Sequence, residues 1–374
     1  MAVSRINEAG LNVNQYGNRN LVINGAMQVF QRATAATTAS NNTYQTADRW
    51  KIFESTDGAY TTERSTDTPS GTGYSLKAIV TTADTSIAAT QYASIEHYIE
   101  AQNLQQLEYG TSSAKTLTLS FFVKSNKTGT YTIALYKPDT TGYMFTKEYT
   151  IDSANTWEKK TIIITPTAGS TSFITSSGGA IANDNGIGLG LSFNLVWGSN
   201  FNGGTSDAWS ATVANYSTTN AVNWMDTVGN TLLISEVQLE VGDTATDFEH
   251  RSFADELARC QRYLYRIGGA TYTRIGTGFS YNTTAHNTPV PLPVSMRAVP
   301  TLTTSDLSGA STFAVYHAAA SLATVSNIVI EPDGIDPTHV LSINSTTSGL
   351  TQGNVGILVT KNDINAFLQF DAEL

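Results

Sequence analysis

Strict alternation of apolar and polar residues, in runs too short for a helix, is what most limits the folds open to this chain. Thr116 to Val123, TLTLSFFV, puts Leu117, Leu119, Phe121 and Val123 on one face. On a helix that spacing would scatter the same side chains around the axis, whereas on a strand it builds one apolar surface. Thr130 to Tyr136, TYTIALY, repeats the pattern with Tyr131, Ile133 and Leu135, and Ser125 to Gly129 supplies the turn between them. Trp157 begins a run that ends in Thr161 to Thr165, TIIIT, stopped by Pro166. Gly186 to Trp197, GIGLGLSFNLVW, is a further strand whose glycines point to close backbone approach. Strands at such intervals without helices between them predict a β-sandwich from Asn20 to about Phe248.

Composition agrees with this and narrows the partners. The chain has 374 residues, enough for two domains with separate cores. Charged residues make up only 14%, so the surface must be built largely from Thr, Ser, Asn and Gly. The formal net charge is −10 and no basic run occurs along the sequence, so nucleic acid and other polyanions are not expected partners. Cys260 is the single cysteine, which rules out an intrachain disulfide and a thiol metal cluster. The first residues, MAVSRINEAG, lack the apolar core of a signal peptide, and no run has the length of a membrane span. Synthesis in a cytoplasm without membrane insertion is expected.

Four segments follow. Residues 1–18 are polar and read as a docking arm that gains order on binding, with a merely disordered terminus as the alternative. Residues 19–250 form the sandwich. Residues 251–268 are expected to be a connecting amphipathic helix, with Ser252 as cap, Phe253, Leu257, Cys260, Leu264 and Ile267 on one face, and Gly268 and Gly269 as terminator. Its stripe must be buried, either on its own domain or, as preferred here, against copies of itself at a trimer axis. Residues 269–374 form a second antiparallel β-sandwich or small barrel. Val325 to Glu331, Thr338 to Ile343, Gly353 to Thr360 and Ala366 to Asp371 read as strands, and Pro289 to Pro293 is expected to preclude a central strand.

The stretch Val237 to Tyr263 resembles the V-Q-L-E-x-G-x-x-A-T-x-F-E-x-R-x-x-x-x-E-L-x-x-C-Q-R-Y-Y signature of bacteriophage virion proteins of the tail-fibre and tail-associated kind, and departs from it at Leu264, where a second aromatic is usual. Asn20 to Arg32 (NLVINGAMQVFQR) and Thr46 to Trp50 (TADRW) resemble earlier landmarks of that family. Pro293 to Thr301 (PVSMRAVPT) and Asp371 to Leu374 (DAEL) resemble its C-terminal module. The resemblance implies a jelly roll related to carbohydrate-binding modules, a place on the virion, other virion proteins as partners through the arm, and trimeric assembly. Related sugar-binding modules often carry a structural calcium, and Glu236 lies in the strand where one ligand would sit; no metal or other cofactor is otherwise expected.

No catalytic motif is present: there is no G-x-S-x-G, H-E-x-x-H or Walker loop. His97, His250, His286, His317 and His339 lack metal-ligand spacing. Asp184, Asn185 and Gly186 fit a turn better than a calcium loop. One segment departs from plain sandwich logic. Val196 to Thr227 gathers Trp197, Trp209 and Trp224 with Phe201 and Tyr216 among small polar residues. Two readings stay open. The rings stack on sugar C–H faces while Asn, Asp and Ser take hydroxyls, or they pin a long excursion onto the sandwich. Tyr272, Tyr281 and His286 form a second candidate surface. The leading expectation is a non-enzymatic, short trimeric tail fibre or fibre-like adhesin that recognises host-surface glycan. The alternatives are a capsid decoration or head-fibre protein, and a tail polysaccharide hydrolase, which would need paired carboxylates across a groove.

Overall fold

A computed structural model describes residues 18–305, 307, 312–317, 321–331 and 338–374. The arm expected over residues 1–18 lies outside them, apart from residue 18. The chain is mainly β and divides into two compact units between Phe253 and Ala254.

The first unit is a sandwich of two antiparallel sheets with jelly-roll connectivity. Its strands are β1 (Thr37–Thr38), β2 (Thr43–Tyr44), β3 (Trp50–Glu54), β4 (Ala59–Ser65), β5 (Ser75–Thr82) and β6 (Tyr92–Glu100). They continue with β7 (Leu117–Ser125), β8 (Gly129–Lys137), β9 (Tyr143–Ile151) and β10 (Glu158–Ile164). The last are β11 (Ile187–Trp197), β12 (Ala208–Ser210) and β13 (Thr231–Val241). One sheet runs β1-β4-β5-β13-β7-β10 and the other β12-β9-β8-β11-β6-β3-β2. The alternating residues legible in β7 and β8 face inward together: Leu117, Leu119, Phe121, Ile133 and Leu135 are fully buried. Phe121 of one sheet meets Phe193 of the other edge-on at 5.0 Å, and Trp50, in the same sheet as Phe193, lies 5.9 Å from it. Burying each such ring is worth about 1.5–3 kcal/mol.

β13 is bent by a bulge. It pairs with β5 only from Thr231 to Ile234, and its register against β7 shifts between Ser235 and Gln238. Glu236, at the shift, has a left-handed φ of 51°. Beyond the bulge a different segment takes over: Leu21 N donates to Leu239 O at 2.8 Å and Val237 N to Gly25 O at 3.0 Å. Asn20 reads the same strand with its side chain, donating to Val237 O at 3.0 Å and accepting from Leu239 N at 3.1 Å. Gly25 is required there, since a Cβ would sit 2.1 Å from Val237 O. Glu249 accepts from Asn20 N at 2.9 Å, and Arg251 bonds Glu249 at 3.0 Å, Val22 O at 3.1 Å and Asn20 O. Burial pushes the Glu249 carboxyl up, but the Asn20 amide and Arg251 outweigh it and hold the group below the usual carboxylate range.

The second unit opens with helix α1 (Phe253–Gln261), followed by β14 (Leu264–Gly268), β15 (Arg274–Ser280), β16 (Ala285–Pro291), β17 (Thr301–Thr304) and β18 (Phe313–His317). β19 (Ser321–Thr324), β20 (Asn327–Ile330), β21 (Val340–Thr346), β22 (Val355–Thr360) and β23 (Phe367–Asp371) complete it. A three-stranded sheet, β14-β23-β17, and a seven-stranded one, β19-β18-β22-β15-β16-β21-β20, share a core that includes Phe313, Leu341, Leu358, Leu368 and Phe370. Arg297 joins the landmarks of this half: its guanidinium donates to Ala372 O and Glu373 O at 2.8 and 2.9 Å, while Ala372 N reaches Tyr263 O at 2.8 Å.

Two expectations are corrected. The helix does not run over residues 251–268 but stops at Gln261, and Leu264 and Ile267 belong to β14, paired with Asp371 and Leu368 of β23. The alternating LYRI segment finds a strand partner, and that pairing overrides its helical spacing. The predicted apolar stripe is therefore broken. Cys260 and Leu264 are buried and Leu257 is half-buried, whereas Phe253 is 60% exposed. Nor do Pro289 and Pro291 preclude a central strand, since β16 lies between β15 and β21. Its described ladder to β15 is confined to Ser280–His286 and Phe279–Asn287, so the amide-less prolines fall where that ladder has ended.

The clamp on β13 yields a stability prediction. Arg251→Met leaves Glu249 and two carbonyls without their cation, and should cost the first unit about 3–5 kcal/mol. All five tryptophans lie in that unit, so urea unfolding followed by tryptophan fluorescence reads it selectively. An unchanged midpoint would refute the assigned role.

Candidate functional site

Register places the functional side chains more directly than sequence distance does. On the outer face of the seven-stranded sheet of the first unit, one row runs Tyr44–Lys51–Glu96–Ser192–Ala134–Thr146. The next runs Phe53–Ser94–Asn194–Thr132–Glu148, and a third Tyr98–Gly190–Tyr136. These positions alternate with the core residues of the same strands, as period two requires.

The middle of this face is a closed polar network. Glu96 is 4% exposed and accepts from Tyr98 OH at 2.8 Å, Ser94 Oγ at 2.9 Å and Ser192 Oγ at 3.2 Å. Burial raises its pKa, opposed by those three hydroxyls and by Lys51. Ser192 Oγ also lies 2.8 Å from Asn194 Oδ1, which accepts from Trp197 Nε1 at 2.7 Å. Asn194 Nδ2 donates to Tyr216 O at 2.6 Å and to Thr132 Oγ1 at 3.0 Å. Thr132 in turn reaches Ser217 Oγ at 3.0 Å.

Rings border the network. Tyr216 stacks on Trp197 at 4.2 Å and 11°, Tyr92 stacks on Trp197 at 5.1 Å, and Phe201 meets Trp197 at 5.2 Å. Burial first, and the Glu96 charge after it, raise the Tyr216 hydroxyl pKa, so the phenol stays neutral. Tyr44, Phe53, Tyr98 and Tyr136 are half-buried and present part of their surface outward. Gly190 makes room for this, since a Cβ there would come within 2.7 Å of the Tyr98 ring. A concavity of about 340 Å³ lies beside Trp197, lined by Thr85, Ile87, Trp197, Asn202, Thr218 and Asn223 among others.

The residues singled out from the sequence divide accordingly. Trp197 and Tyr216 come together at the border of the network. Trp209 and Trp224 do not join them, because both are core residues. Trp209 pairs with Phe145, packs on it at 5.5 Å and donates to Thr165 O; Trp224 is fully buried and meets Tyr60 edge-on at 5.7 Å. In the second unit Tyr272 and Tyr281 are 49% and 66% exposed, but they flank opposite ends of β15 and do not form one surface. His286 belongs to neither surface: it is buried, with Nδ1 3.4 Å from Ser280 Oγ. Glu236 shapes the bulge of β13, and burial raises its pKa. Among the described residues no group of three or more His, Cys, Asp or Glu side chains could hold a metal ion. Asp184 Oδ1 accepts from Gly186 N at 2.8 Å, the side-chain turn expected of that pair.

Sequence reading missed Lys51, Glu96, Tyr98, Tyr136, Ser192 and Asn194. The signal was the polar half of the alternation, Ser192 and Asn194 against Leu191 and Phe193, and Ser94, Glu96 and Tyr98 against Ile95 and Ile99.

No family model matches the chain, and no curated protein matches it. Among solved structures it is similar to a candidate sugar-binding protein from Bacteroides thetaiotaomicron, at 14% identity over 60% of this chain and 100% of that one, with a TM-score of 0.34. It is similar to the enzymatically active domain of tailspike protein 4 of bacteriophage CBA120, at 14% identity over 60% of this chain and 22% of that one, with a TM-score of 0.31. A family 11 carbohydrate-binding module of a Clostridium thermocellum cellulosomal cellulase gives 12% identity over 59% and 99%, with a TM-score of 0.28.

The buried His97 beneath this face predicts acid sensitivity. Burial, then the Arg49 charge, press its pKa well below the ordinary histidine value. The unfolded chain therefore takes up a proton, below about pH 6.5, that the folded unit refuses, so stability is lost as pH falls through that range. Urea midpoints read by tryptophan fluorescence should drop between about pH 7.5 and about pH 5, and the drop should shrink in His97→Gln. An equal slope in the variant would remove His97 as the cause.

Proposed function

We propose that this chain is a non-enzymatic phage virion protein, a short fibre or fibre-like adhesin, and that its first unit binds glycan on the outer face of the seven-stranded sheet. The observation that carries the binding reading is the juxtaposition on that face of half-exposed Tyr98 and Tyr136 with a row of hydroxyl, amide and carboxylate groups. Phenol rings take the apolar C–H side of a pyranose, and fixed polar groups around them take its hydroxyls. A binding rather than a hydrolytic role is supported by the way Glu96 is tied: three hydroxyls hold a carboxylate that is almost wholly covered. The virion assignment rests on the resemblance of Asn20–Arg32, Thr46–Trp50 and Val237–Tyr263 to phage landmarks. Such a face binds singly with a Kd near millimolar, about −4 kcal/mol, and linked copies raise avidity by about 10²–10⁴.

Titration calorimetry against an oligosaccharide panel tests the site. Tyr136→Ala, which leaves the hydroxyls on Glu96 in place, should weaken the best ligand by about tenfold, roughly 1.4 kcal/mol, in a variant that tryptophan fluorescence shows to be folded. Full affinity in that variant would overturn the assignment, and sugar release from the panel would overturn the non-enzymatic reading. Reconstruction of the intact particle tests position: density over the capsid lattice instead of the tail periphery replaces the adhesin with a decoration protein.

The reading includes assembly of three copies. With Phe253 exposed and the helical stripe broken, support moves to the outer face of the second unit's larger sheet. There Phe279 and Val355 pair in register and Tyr316 pairs with Ile357. Neither pair contains an Asp, Glu, Lys or Arg, so copies carrying −10 each meet there without like-charge repulsion between those side chains. Light scattering at micromolar concentration should give a trimer mass, and Phe279→Lys should lower it. A monodisperse wild-type monomer would end the assembly proposal.

A further inference from the structure

We propose that the ligand of the outer face is an acidic saccharide, one whose pyranose carries a carboxylate, and that the carboxylate is received at Lys51. This rests on the glycan reading above and adds the class of sugar. Lys51 Nζ stands at the centre of a ring platform, 5.2 Å from the Tyr98 centroid, 5.3 Å from Tyr44 and 5.5 Å from Phe53. Tyr44 collects two further cations: the guanidinium carbons of Arg32 and Arg49 lie 5.4 and 6.0 Å from its centroid. In a chain with 21 Lys and Arg against 31 Asp and Glu, three cations around one ring set this corner apart from the average surface.

The three differ in what they offer. Arg49 is fully buried and donates to Tyr98 O at 2.7 Å, so it contributes field and fixes the strand that bears Tyr98. Lys51 and Arg32 are half-buried and within reach of solvent. All are already engaged with neighbours, and the proposal needs only the positive field they sum to. Two carboxyl groups lie in this corner: Glu96, paired with Lys51 across β3 and β6, is almost wholly covered and held by its three hydroxyls, and Asp48, next to Arg49 in the chain, is fully buried and accepts from Gln31 N at 2.9 Å. A neutral sugar has no use for this arrangement. A uronic acid has, because its carboxylate projects from the rim of the ring whose C–H face stacks on a phenol, which puts charge beside the platform and apolar surface on it. Charge-assisted contacts of this kind are about twice as strong as neutral ones.

The experiment compares a trisaccharide of galacturonic acid with its carboxyl-reduced counterpart by titration calorimetry on the full chain. The acid form should bind about tenfold more tightly, with an affinity that falls as salt rises from about 50 to about 300 mM. Lys51→Met should abolish the preference, Lys51→Arg should keep it, and tryptophan fluorescence should confirm that both are folded. If Lys51→Met fails to fold, Arg32→Met serves instead and should reduce the preference. Equal binding of both trisaccharides, or a preference untouched by the substitutions, overturns the acidic-sugar inference and leaves the glycan reading standing. Failure of this pair and of the whole oligosaccharide panel to bind overturns both.

Discussion

Everything on the outer face depends on how the far half of β13 is held. That strand leaves β5 at Ile234, and without a substitute partner its last residues would carry unpaired amides into the sandwich. The segment Asn20–Gly25 is the substitute, fastened by Asn20 on one side and by Glu249 and Arg251 on the other. The same segment then positions the opposite sheet. Trp50 Nε1 donates to Asn24 O at 3.1 Å, Asn24 Nδ2 to Asp48 O at 2.9 Å, and His97 Nε2 lies 3.0 Å from Ile23 O. Trp50 and His97 are register partners on β3 and β6. Their outward neighbours, Lys51, Glu96 and Tyr98, are thus oriented by a polar clamp on the other side of the sheet.

The segments that resemble phage landmarks thereby acquire a physical role in this fold. NLVING, TADRW and VQLEVG, far apart in sequence, supply three sides of one buried hydrogen-bonded unit. Removing one partner leaves the other desolvated and unsatisfied, so a substitution at any of them costs stability. Arg297, Tyr263 and Ala372 do the same for the second unit. A signature of this kind marks a fold. It is silent about ligands, because the groups that face solvent lie on the opposite side of the strands it fixes.

Period two made the sandwich strands legible, since each alternating run has one inner face. The same clarity failed for α1, where LYRI continues a helical spacing by chance and only the pairing with Phe367–Asp371 decides for a strand. It failed for Pro289 and Pro291, because whether a missing amide matters depends on how far the neighbouring ladder extends. In the aromatic loop, composition could not separate Trp209 and Trp224, which turn inward, from Trp197 and Tyr216, which edge the polar network. Lys51, Arg32 and Arg49 formed no visible basic cluster for a simpler reason. Residues 32, 49 and 51 meet at Tyr44 only once β2 and β3 pair.

Net charge and local charge then act at different ranges. A chain at −10 repels an acidic saccharide at long distance, but at physiological ionic strength that repulsion is screened beyond about 8 Å. Within that distance the saccharide proposed above would meet Lys51 and Arg32, both half-buried and set against rings, where partial burial strengthens each interaction. The overall acidity therefore slows encounter without deciding the contact. A weak, salt-sensitive single site is what the proposal expects from this balance, and several linked copies of such a site on one surface would raise avidity without any stronger single contact.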